Sequence, residues 1–314
     1  VDTLGFSVAE IDLLIGEAAY QEETPVDNTP PLPAEATTRL GDIWLMGRHQ
    51  LLCGSALNRT AYEQLLDGRA ARMVLTDPPY NVPIDGFVAG LGRVKHREFA
   101  MASGEMTEDQ FTEFLKTALS NMAASLVDGG LLYSFMDFRH VRELLEAGRA
   151  VGLKLHNLCV WDKMSGGMGS HYRGQHALCP IFQKGNAPHL NTVELGKHGR
   201  YRTNVWSHRG MASFGRGRDE ALATHPTVKP VGLLLEAIKD CTRRGDLLID
   251  PFLGSGSTLI AAEKSGRTCF GIELDPLYCD TIIERFEKLT GERAINAVSG
   301  LSFAQTKQAA ANIG

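Results

Sequence analysis

The sequence lacks the features of a membrane protein or a secreted protein. No apolar run approaches the roughly 20 residues that cross a bilayer. The first residues, Val1 to Leu4, have neither the basic start nor the following apolar stretch of a secretion signal. With 314 residues, 43% of them hydrophobic and 22% charged, the chain is long enough to bury a substantial core. We therefore expect a cytoplasmic protein with no membrane partner.

Cysteine is scarce, and its pattern excludes two further classes of protein. The six cysteines are scattered without a CxxC pair, and the chain contains no HExxH motif. Neither a disulfide framework nor a zinc site is therefore indicated. We expect reduced, mostly buried thiols and no bound metal.

Basic residues are too few to balance the acidic ones, but the charge is unevenly distributed. The formal net charge is −5, and residues 1–40 contain eight acidic residues against Arg39 alone. Because residues 21–36 are also rich in proline, we expect 1–40 to be an acidic linker or N-terminal extension that cannot order itself. Residues 184–229 contain eight lysines and arginines against three acids, so the basic charge lies in one stretch. A chain that begins at Val1 and leads with a linker is interpreted as a piece of a longer protein, with N-terminal processing as the alternative explanation.

From Gly41 onward, apolar runs of strand length alternate with helical patterns, and there is no internal repeat. This alternation predicts an α/β domain over residues 41–291, with a mostly parallel twisted sheet flanked by helices. Residues 184–224 are polar without clear periodicity, and a loop of this length in a compact domain is usually functional. Residues 292–314 are interpreted as a C-terminal tail. The predicted strands are Ile43–Met46, Met73–Thr76, Gly130–Phe135, Leu153–Trp161, Ala177–Gln183, Leu247–Asp250 and Thr268–Glu273, and the predicted helices are Thr60–Leu66, Thr107–Leu126, Val141–Ala150, Val231–Cys241, Thr258–Lys264 and Pro276–Leu289.

A turn that contains two glycines follows the apolar strand Leu247–Asp250. Gly254 and Gly256 let the main chain approach a ligand closely, and they open a helix whose N-terminal N–H groups favour acceptor atoms. The next strand ends in Glu273, and a carboxylate at that place can accept both hydroxyls of a ribose. The pattern therefore indicates a cofactor that contains a nucleoside. Leu259 stands where the dinucleotide fingerprint has its third glycine, which disfavours NAD.

Another predicted strand ends abruptly in the tetrapeptide Asp77-Pro78-Pro79-Tyr80. Proline fixes its own φ and restricts the residue before it, so this turn presents the Asp77 carboxylate, the Pro78 carbonyl and the Tyr80 ring in a rigid geometry. Taken alone, the tetrapeptide is also compatible with an ordinary strand-ending turn.

Together, the two turns resemble the amino-methylating DNA methyltransferases that depend on S-adenosyl-L-methionine (AdoMet). The Asp-Pro-Pro-Tyr motif precedes the glycine turn by about 170 residues, as in the permuted group called the β class. The element His225-Pro226-Thr227-Val228-Lys229-Pro230 matches the His-Pro-Thr-x-Lys-Pro sequence of that group. The resemblance covers roughly residues 41–291 and takes its most similar form in the methylase module that follows a ParB-like domain in some bacterial and phage proteins. It implies a Rossmann-like AdoMet-dependent methyltransferase fold and a bacterial or phage-encoded enzyme of the restriction-modification type.

The resemblance also implies a role for each motif residue. Tyr80 would stack on a base flipped out of double-stranded DNA, while Asp77 and Pro78 would hold its amine. AdoMet would be bound with its adenine near Phe252, its ribose on Glu273 and its methionine carboxylate at Thr227 and Lys229. Because the sulfonium is already an activated donor, no metal is needed. The implied catalytic residues are Asp77, Pro78, Pro79 and Tyr80, and the implied cofactor-binding residues are His225, Thr227, Lys229, Asp250, Phe252, Gly254, Ser255, Gly256, Ser257 and Glu273.

Two basic segments are the predicted DNA contacts, one directly after the catalytic turn and one in a target-recognition insertion, residues 184–224. Their arginines and lysines would bind phosphates or guanine edges, and Trp206 or Phe214 would act as wedges. Asp275 is predicted to cap the helix that begins at Pro276. The chain departs from many relatives at Ala177, where an acid usually follows the preceding histidine. The predicted DNA-binding residues are Arg93, Lys95, Arg97, Arg200, Arg202, Arg216 and Arg218.

The acceptor base is open between two amines of the same kind. The resemblance favours N6 of adenine, because Asp-Pro-Pro-Tyr is more typical of adenine enzymes and Ser-Pro-Pro-Tyr of cytosine enzymes. N4 of cytosine is the alternative, followed by a methyltransferase that acts on RNA or on a protein amide. From other classes, we keep open a non-catalytic DNA-binding module of the ParB type and, more remotely, a nicotinamide dehydrogenase. A homodimer is compatible with the sequence but not indicated by it.

Overall fold

A ten-stranded sheet organises the chain in a computed structural model, which describes residues 30–82, 101–167, 171–193, 195, 201–210 and 228–311. The strands are β1 Ile43–Met46, β2 His49–Cys53, β3 Ala71–Thr76, β4 Leu126–Ser134, β5 Lys154–Asp162, β6 His176–Gln183, β7 Val205–Ser207, β8 Leu247–Asp250, β9 Thr268–Glu273 and β10 Ile295–Asn296. The helices within these ranges are α1 Arg59–Leu66, α2 Glu108–Ser125, α3 Val141–Ala150, α4 Val231–Cys241, α5 Ser257–Ser265, α6 Pro276–Thr290 and α7 Phe303–Ala311.

The strand order is β10-β1-β2-β9-β8-β3-β4-β6-β5-β7. Strands β2, β9, β8, β3 and β4 are parallel neighbours, and β6 runs antiparallel to both β4 and β5. Strand β5 therefore points in the same direction as β4. As a result, the carboxyl ends of β2, β3, β4, β5, β8 and β9 meet at one edge of the sheet, where ligands bind in open α/β sheets. The predicted α/β fold with a mostly parallel sheet is confirmed.

Burial on both faces explains why the central strands read as continuous apolar runs. In β3, Met73 and Leu75 join one buried cluster with Trp44, whereas Val74 joins a second cluster with Ile249 on the opposite face. Side chains that alternate between two covered faces must all be apolar. All seven predicted strands and all six predicted helices are present, with ends shifted by at most four residues.

The helix ends follow local signals in the sequence. The hydroxyl of Thr107 accepts a hydrogen bond from the N–H of Gln110, whose side chain accepts one from the N–H of Thr107, which forms a capping box at the start of α2. The Asp275 carboxylate accepts from the N–H of Leu277, which confirms the predicted cap of α6. Gly291 ends α6 with a positive φ of 74°.

The predicted domain boundaries need correction at both ends. The main-chain N–H groups of Thr37 and Thr38 donate to the Asp280 carboxylate, so these two residues of the predicted linker are part of the domain. At the other end, β10 pairs with β1, and Phe303 of α7 packs edge-on against Trp44 with 5.5 Å between ring centroids. Phe303 is buried, so the prediction of a tail over residues 292–314 is wrong for β10 and α7.

The predicted insertion, residues 184–224, is partly built into the sheet. Strand β7 lies inside it and pairs with β5 through Val160–Asp162. The Trp206 side chain is buried and stacks on Tyr133 with 6.3 Å between ring centroids. The prediction of Trp206 as a wedge in DNA is therefore wrong, because the ring is part of the core. Phe214 lies outside the described residues.

All six cysteines are buried and free, as the sequence predicts. Among the described residues, no helix has the length and hydropathy to span a bilayer. The same residues contain no group of three or more His, Cys, Asp or Glu side chains in an arrangement that would hold a metal ion.

Candidate active site

A cleft at the carboxyl edge of the sheet brings the two predicted turns together. It encloses about 1260 Å³, including the open solvent at its mouth. The turn after β3 forms one wall, and the turn after β8 forms the other together with the end of β9. Of the predicted catalytic and cofactor-binding residues, those that line this cleft are Asp77, Pro78, Pro79, Tyr80, Lys229, Asp250, Phe252, Gly254, Ser255, Ser257 and Glu273.

Asp77 lies at the centre of a short hydrogen-bonded group. The Tyr80 hydroxyl donates to Oδ1 of Asp77, and the Lys229 ammonium group forms an ion pair with Oδ2. The Lys229 Nζ atom also lies 3.2 Å from the Tyr80 hydroxyl oxygen. The side chains of Asp77 and Lys229 are only 22% and 8% exposed, so water screens this ion pair little.

Three aromatic rings surround the Lys229 ammonium group. Its Nζ atom lies 5.1 Å from the ring centroid of Phe135, 5.6 Å from that of Tyr80 and 5.8 Å from that of Trp161. These distances allow cation–π attraction, which stabilises a cation that has little contact with water. The resemblance had assigned Lys229 only to the cofactor carboxylate. The structure places its charge against Asp77, a contact that the sequence does not reveal.

Tyr80 keeps its proton in this setting. Burial, followed by the neighbouring Asp77 carboxylate, raises the pKa of the phenol well above its usual value. A protonated hydroxyl is a donor toward Asp77, and its ring lines the cleft beside Phe135. The Asp-Pro-Pro-Tyr turn is therefore held by contacts between its own side chains as well as by its two prolines.

Asp250 joins the catalytic turn to the glycine turn. Its Oδ1 atom accepts from the Thr76 hydroxyl at 2.8 Å and from the N–H of Phe252 at 3.1 Å. Burial raises the pKa of Asp250 to about 6, although hydrogen bonds from Thr258 and Thr76 act in the opposite direction. Because Thr76 immediately precedes Asp77, this contact fixes the ends of β3 and β8 relative to each other.

Glu273 holds the glycine turn from the end of β9. One carboxylate oxygen accepts from the N–H of Gly254 and the other from the N–H of Asp275, each at 2.8 Å. Burial raises the pKa of Glu273 to about 7, despite these two hydrogen bonds. Each oxygen has a second acceptor position, so the carboxylate can also accept ribose hydroxyls. Gly256 does not line the cleft; its φ of 83° lets the chain turn into α5 beside Ile282.

Asn81 is a further structural residue of the site that sequence reasoning missed. Its side-chain oxygen accepts from the N–H groups of Gly104 and Met106 at 3.1 and 3.2 Å, and its amide donates to the Met106 carbonyl at 2.8 Å. Its φ of 53° is a left-handed conformation that asparagine tolerates better than most residues. The available signal was an asparagine directly after a rigid Pro-Pro-Tyr turn.

The predicted DNA contacts are placed only in part. Arg202 lies in an ion pair with Asp240 at 2.8 Å and in a second one with Glu236, both on α4, and its side chain is 23% exposed. Two carboxylates already neutralise Arg202, which indicates a structural role, and its contact with DNA stays a prediction. The other predicted positions lie outside the described residues: Arg93, Lys95, Arg97, Arg200, Arg216 and Arg218, and with them His225 and Thr227 of the cofactor set.

Comparison with known proteins identifies the family. A family model described as DNA methylase, N6_N4_Mtase, matches residues 71–284. The chain belongs to this N6/N4 DNA methylase family. The Escherichia coli (strain K12) protein YubD is 30% identical over 207 residues, which cover 66% of this chain and 78% of YubD. The type II methyltransferase M.HpaI of Haemophilus parainfluenzae is 23% identical over 256 residues, which cover 76% of this chain and 74% of M.HpaI.

Solved structures of this N6/N4 DNA methylase fold agree with the architecture. A Thermus thermophilus protein in complex with S-adenosyl-L-methionine has a TM-score of 0.55 and 22% identity, covering 81% of this chain and 96% of that one. The cytosine-N4-specific PvuII DNA methyltransferase has a TM-score of 0.57 and 17% identity, covering 90% and 94%. The predicted family, an AdoMet-dependent DNA amino-methyltransferase, and the predicted fold are confirmed. Linkage to a ParB-like domain and a homodimer stay predictions.

Proposed function

We propose that this DNA methylase transfers the methyl group of AdoMet to N6 of an adenine flipped out of double-stranded DNA. The observation that carries the proposal is the shared cleft. The Asp77–Tyr80 turn and the turn between Asp250 and Ser257 open into the same space, with Glu273 at its side. A methyl donor and an amine held in these two turns would therefore face each other.

The cofactor half of the cleft suits AdoMet in shape and in donor set. Phe252 offers an aromatic surface, Glu273 offers a buried carboxylate, and the glycine turn lets the main chain come close to a ligand. We assign Phe252 to the adenine, Glu273 to the ribose, and the segment from Gly254 to Ser257 to the remaining adenosine and methionine contacts. When bound, AdoMet supplies a methyl group already activated on a sulfonium.

The catalytic turn suits an exocyclic amine. The lone pair of such an amine is delocalised into the ring, so it must be localised before the nitrogen can attack. We assign one amino N–H to the Asp77 carboxylate and the other to the Pro78 carbonyl, with Tyr80 stacked on the base. Each Asp77 oxygen already accepts one hydrogen bond and has a second acceptor position for the amine. Its negative charge stabilises the positive charge that develops on the nitrogen.

The choice of adenine rests on the Asp-Pro-Pro-Tyr sequence rather than on the shape of the cleft. N4 of cytosine is the second candidate, favoured by the fold similarity to the cytosine-N4-specific PvuII methyltransferase. RNA and protein amides are less favoured, because in those enzymes the glycine turn usually precedes the Pro-Pro-Tyr motif. We further propose that the insertion, residues 184–224, contributes to target recognition and that the enzyme acts where bacterial or phage DNA lies, in the cytoplasm.

Nucleoside analysis tests the proposal. The protein is incubated with mixed-sequence duplex DNA and AdoMet, and the DNA is digested to nucleosides. We expect N6-methyladenine with the wild type and at least a roughly 100-fold loss with Asp77→Ala, because one of the two amine acceptors is removed. N4-methylcytosine in its place would support the second candidate. Neither product, with equal behaviour of wild type and Asp77→Ala, would refute the assignment.

A binding titration separates the enzyme from a non-catalytic DNA-binding module. Intact Asp77, Tyr80 and Glu273 predict that AdoMet binds at micromolar concentration. Absence of binding at that concentration would favour the module, whatever the affinity for DNA. In the methylation assay described above, mixed-sequence RNA in place of DNA provides the matched substrate control.

A further inference from the structure

Lys163 is a cation at the functional edge of the sheet with no role in any of the motifs. It directly follows β5, whose carboxyl end lies at the same edge as that of β3 and hence as Asp77. In the strand order, β8 and β9 lie on one side of β3, whereas β4, β6 and β5 lie on the other. Lys163 is therefore on the opposite side of Asp77 from the cofactor turn, which is the side that the proposed function leaves for the target nucleotide.

The ammonium group of Lys163 is partly buried beside an aromatic ring. Its Nζ atom lies 5.3 Å from the ring centroid of Trp161, the same ring that contacts Lys229. Burial, followed by repulsion from Lys229, lowers the pKa of Lys163. Both effects disfavour the charged form of Lys163. An anion that binds next to the ammonium group would therefore stabilise its positive charge.

No carboxylate among the described residues forms an ion pair with Lys163. Of the acids that act on it, Asp77 is paired with Lys229, and Asp137 is paired with an arginine at 2.7 Å. The adjacent Asp162 carboxylate accepts instead from the Gln175 amide at 2.9 Å and from a main-chain N–H at 2.8 Å. The protein thus presents a cation at the carboxyl edge of the sheet, beside the ring that also contacts Lys229 of the cleft, without supplying its counter-ion from these residues.

The main chain holds Lys163 in place. Its N–H donates to the Gln175 carbonyl at 2.8 Å, and its carbonyl accepts from the N–H of Gly210 at 3.2 Å. The Trp161 ring beneath it is fixed by a hydrogen bond from its indole N–H to the His208 carbonyl at 2.8 Å. These contacts fix the main chain from which the Lys163 side chain extends and the ring beside its ammonium group, so less freedom remains to be lost when the lysine binds a ligand.

A flipped nucleotide brings two kinds of group to this side of Asp77, uncharged base edges and charged phosphodiesters. A partly desolvated cation that has no counter-ion in the described part of the chain gains more from the full negative charge. We propose that Lys163 binds a phosphodiester next to the flipped nucleotide and thereby positions the base over the Asp77–Tyr80 turn. This assignment rests on the proposed function, because it requires a DNA substrate whose target base enters the cleft.

The experiment compares three variants in two measurements. Lys163→Met removes the charge, Lys163→Arg keeps it, and Lys154→Met removes a lysine at the opposite end of the same strand, where it contacts Asn186. DNA affinity is measured by fluorescence anisotropy with a mixed-sequence duplex, and kcat/KM for DNA by methyl incorporation, each across a series of KCl concentrations. AdoMet affinity is measured for every protein.

For Lys163→Met, we expect kcat/KM for DNA to fall about tenfold and the slope of its logarithm against log [KCl] to become shallower by about 0.7 to 0.9, the value of one phosphate contact. AdoMet affinity should not change. Lys163→Arg should restore most of the slope, and Lys154→Met should behave like the wild type.

Three results would overturn the proposal. An unchanged slope and unchanged kcat/KM would mean that Lys163 touches no phosphate. A fall in kcat/KM for one base only, with an unchanged dependence on KCl, would mean that Lys163 contacts a base edge. A loss of AdoMet affinity alone would place it in the cofactor site. Failure of the proposed function is distinct, because wild-type protein would then methylate neither base.

Discussion

At the residue scale, the ion pair between Lys229 and Asp77 determines the charge at the active centre. Lys229 and the Tyr80 hydroxyl hold the two Asp77 oxygens, and three aromatic rings surround the lysine. The carboxylate therefore keeps one orientation before any base arrives. Lys229 could act on the carboxylate of the cofactor or on Asp77, and these two roles predict different kinetic effects of a substitution.

Replacing Lys229 with methionine separates these two roles. If Lys229 positions Asp77, kcat should fall about 100-fold, because the carboxylate loses its charged partner and its fixed orientation. Steady-state methylation with AdoMet varied at saturating DNA measures both kcat and the KM for AdoMet, and Lys229→Arg should recover part of the loss in kcat. Lys116→Met, which removes an exposed lysine of α2, is the control. A raised KM for AdoMet with unchanged kcat would instead assign Lys229 to the cofactor alone.

The pKa of Glu273 predicts how stability depends on pH. Burial raises this pKa from 4.5 in its ordinary state to about 7 in the folded protein. Between these values the folded state binds more protons than the unfolded state, so the free energy of unfolding decreases as pH rises. We expect urea unfolding of ligand-free protein to show a decline from about pH 5 to about pH 8. Asp250, with a pKa of about 6, adds to this decline with the same sign.

The variant Glu273→Gln isolates this contribution. Glutamine does not titrate, so the slope of stability against pH should be shallower than in the wild type. Its absolute stability should also be lower, because only one of its two terminal groups can accept the N–H groups of Gly254 and Asp275. A slope identical to that of the wild type would show that Glu273 does not carry the pH dependence.

At the scale of secondary-structure elements, the sequence predicts what local pattern determines. Strand β8 and helix α4 were predicted to the residue, because apolar periodicity, proline and glycine mark their ends. Strand β10 has two residues and joins the sheet through its pairing with Trp44 and Leu45 of β1. No local pattern encodes such a contact, and β7 escaped detection for the same reason. The same limit applies to the site. Its motifs are predicted from the sequence, but the pairing of Lys229 with Asp77, 152 positions apart, is not.

Arg202 shows the same limit, and it yields a prediction for α4. In the sequence, an arginine in a basic stretch suggests a phosphate contact, but in the structure Arg202, which precedes β7, forms ion pairs with Glu236 and Asp240 of α4. Arg202→Met should lower the free energy of unfolding by about 2 kcal/mol, since it removes the arginine that neutralises two partly buried carboxylates. DNA affinity should stay within about twofold of the wild type.

Arg59→Met provides the matched control for this experiment. Its ion pair with Glu63 on α1 is exposed, with 75% and 61% of the two side chains accessible, so its loss should change stability by less than about 0.5 kcal/mol. Urea titration measures both variants. Lower DNA affinity of Arg202→Met at unchanged stability would show instead that Arg202 contacts DNA.

At the scale of the whole molecule, the net negative charge of the chain opposes the binding of DNA, which is also negatively charged. The net charge is −5, but residues 1–29 contain seven acids and no lysine or arginine, so the remainder carries +2. The contacts described above that build the fold and the cleft lie between Thr37 and Ala311. We therefore expect the acidic segment, residues 1–29, to act on DNA binding through its electrostatic field.

Removal of residues 1–29 tests this electrostatic effect. The shortened protein should bind mixed-sequence duplex DNA several-fold more tightly at low salt, because repulsion between the acidic segment and the phosphates is lost. Salt screens exposed charges, so the difference should disappear as KCl is raised. A chain in which the seven acids are replaced by their amides should bind like the shortened protein. Equal affinity of full-length and shortened protein at every KCl concentration would show that the acidic segment does not modulate DNA binding.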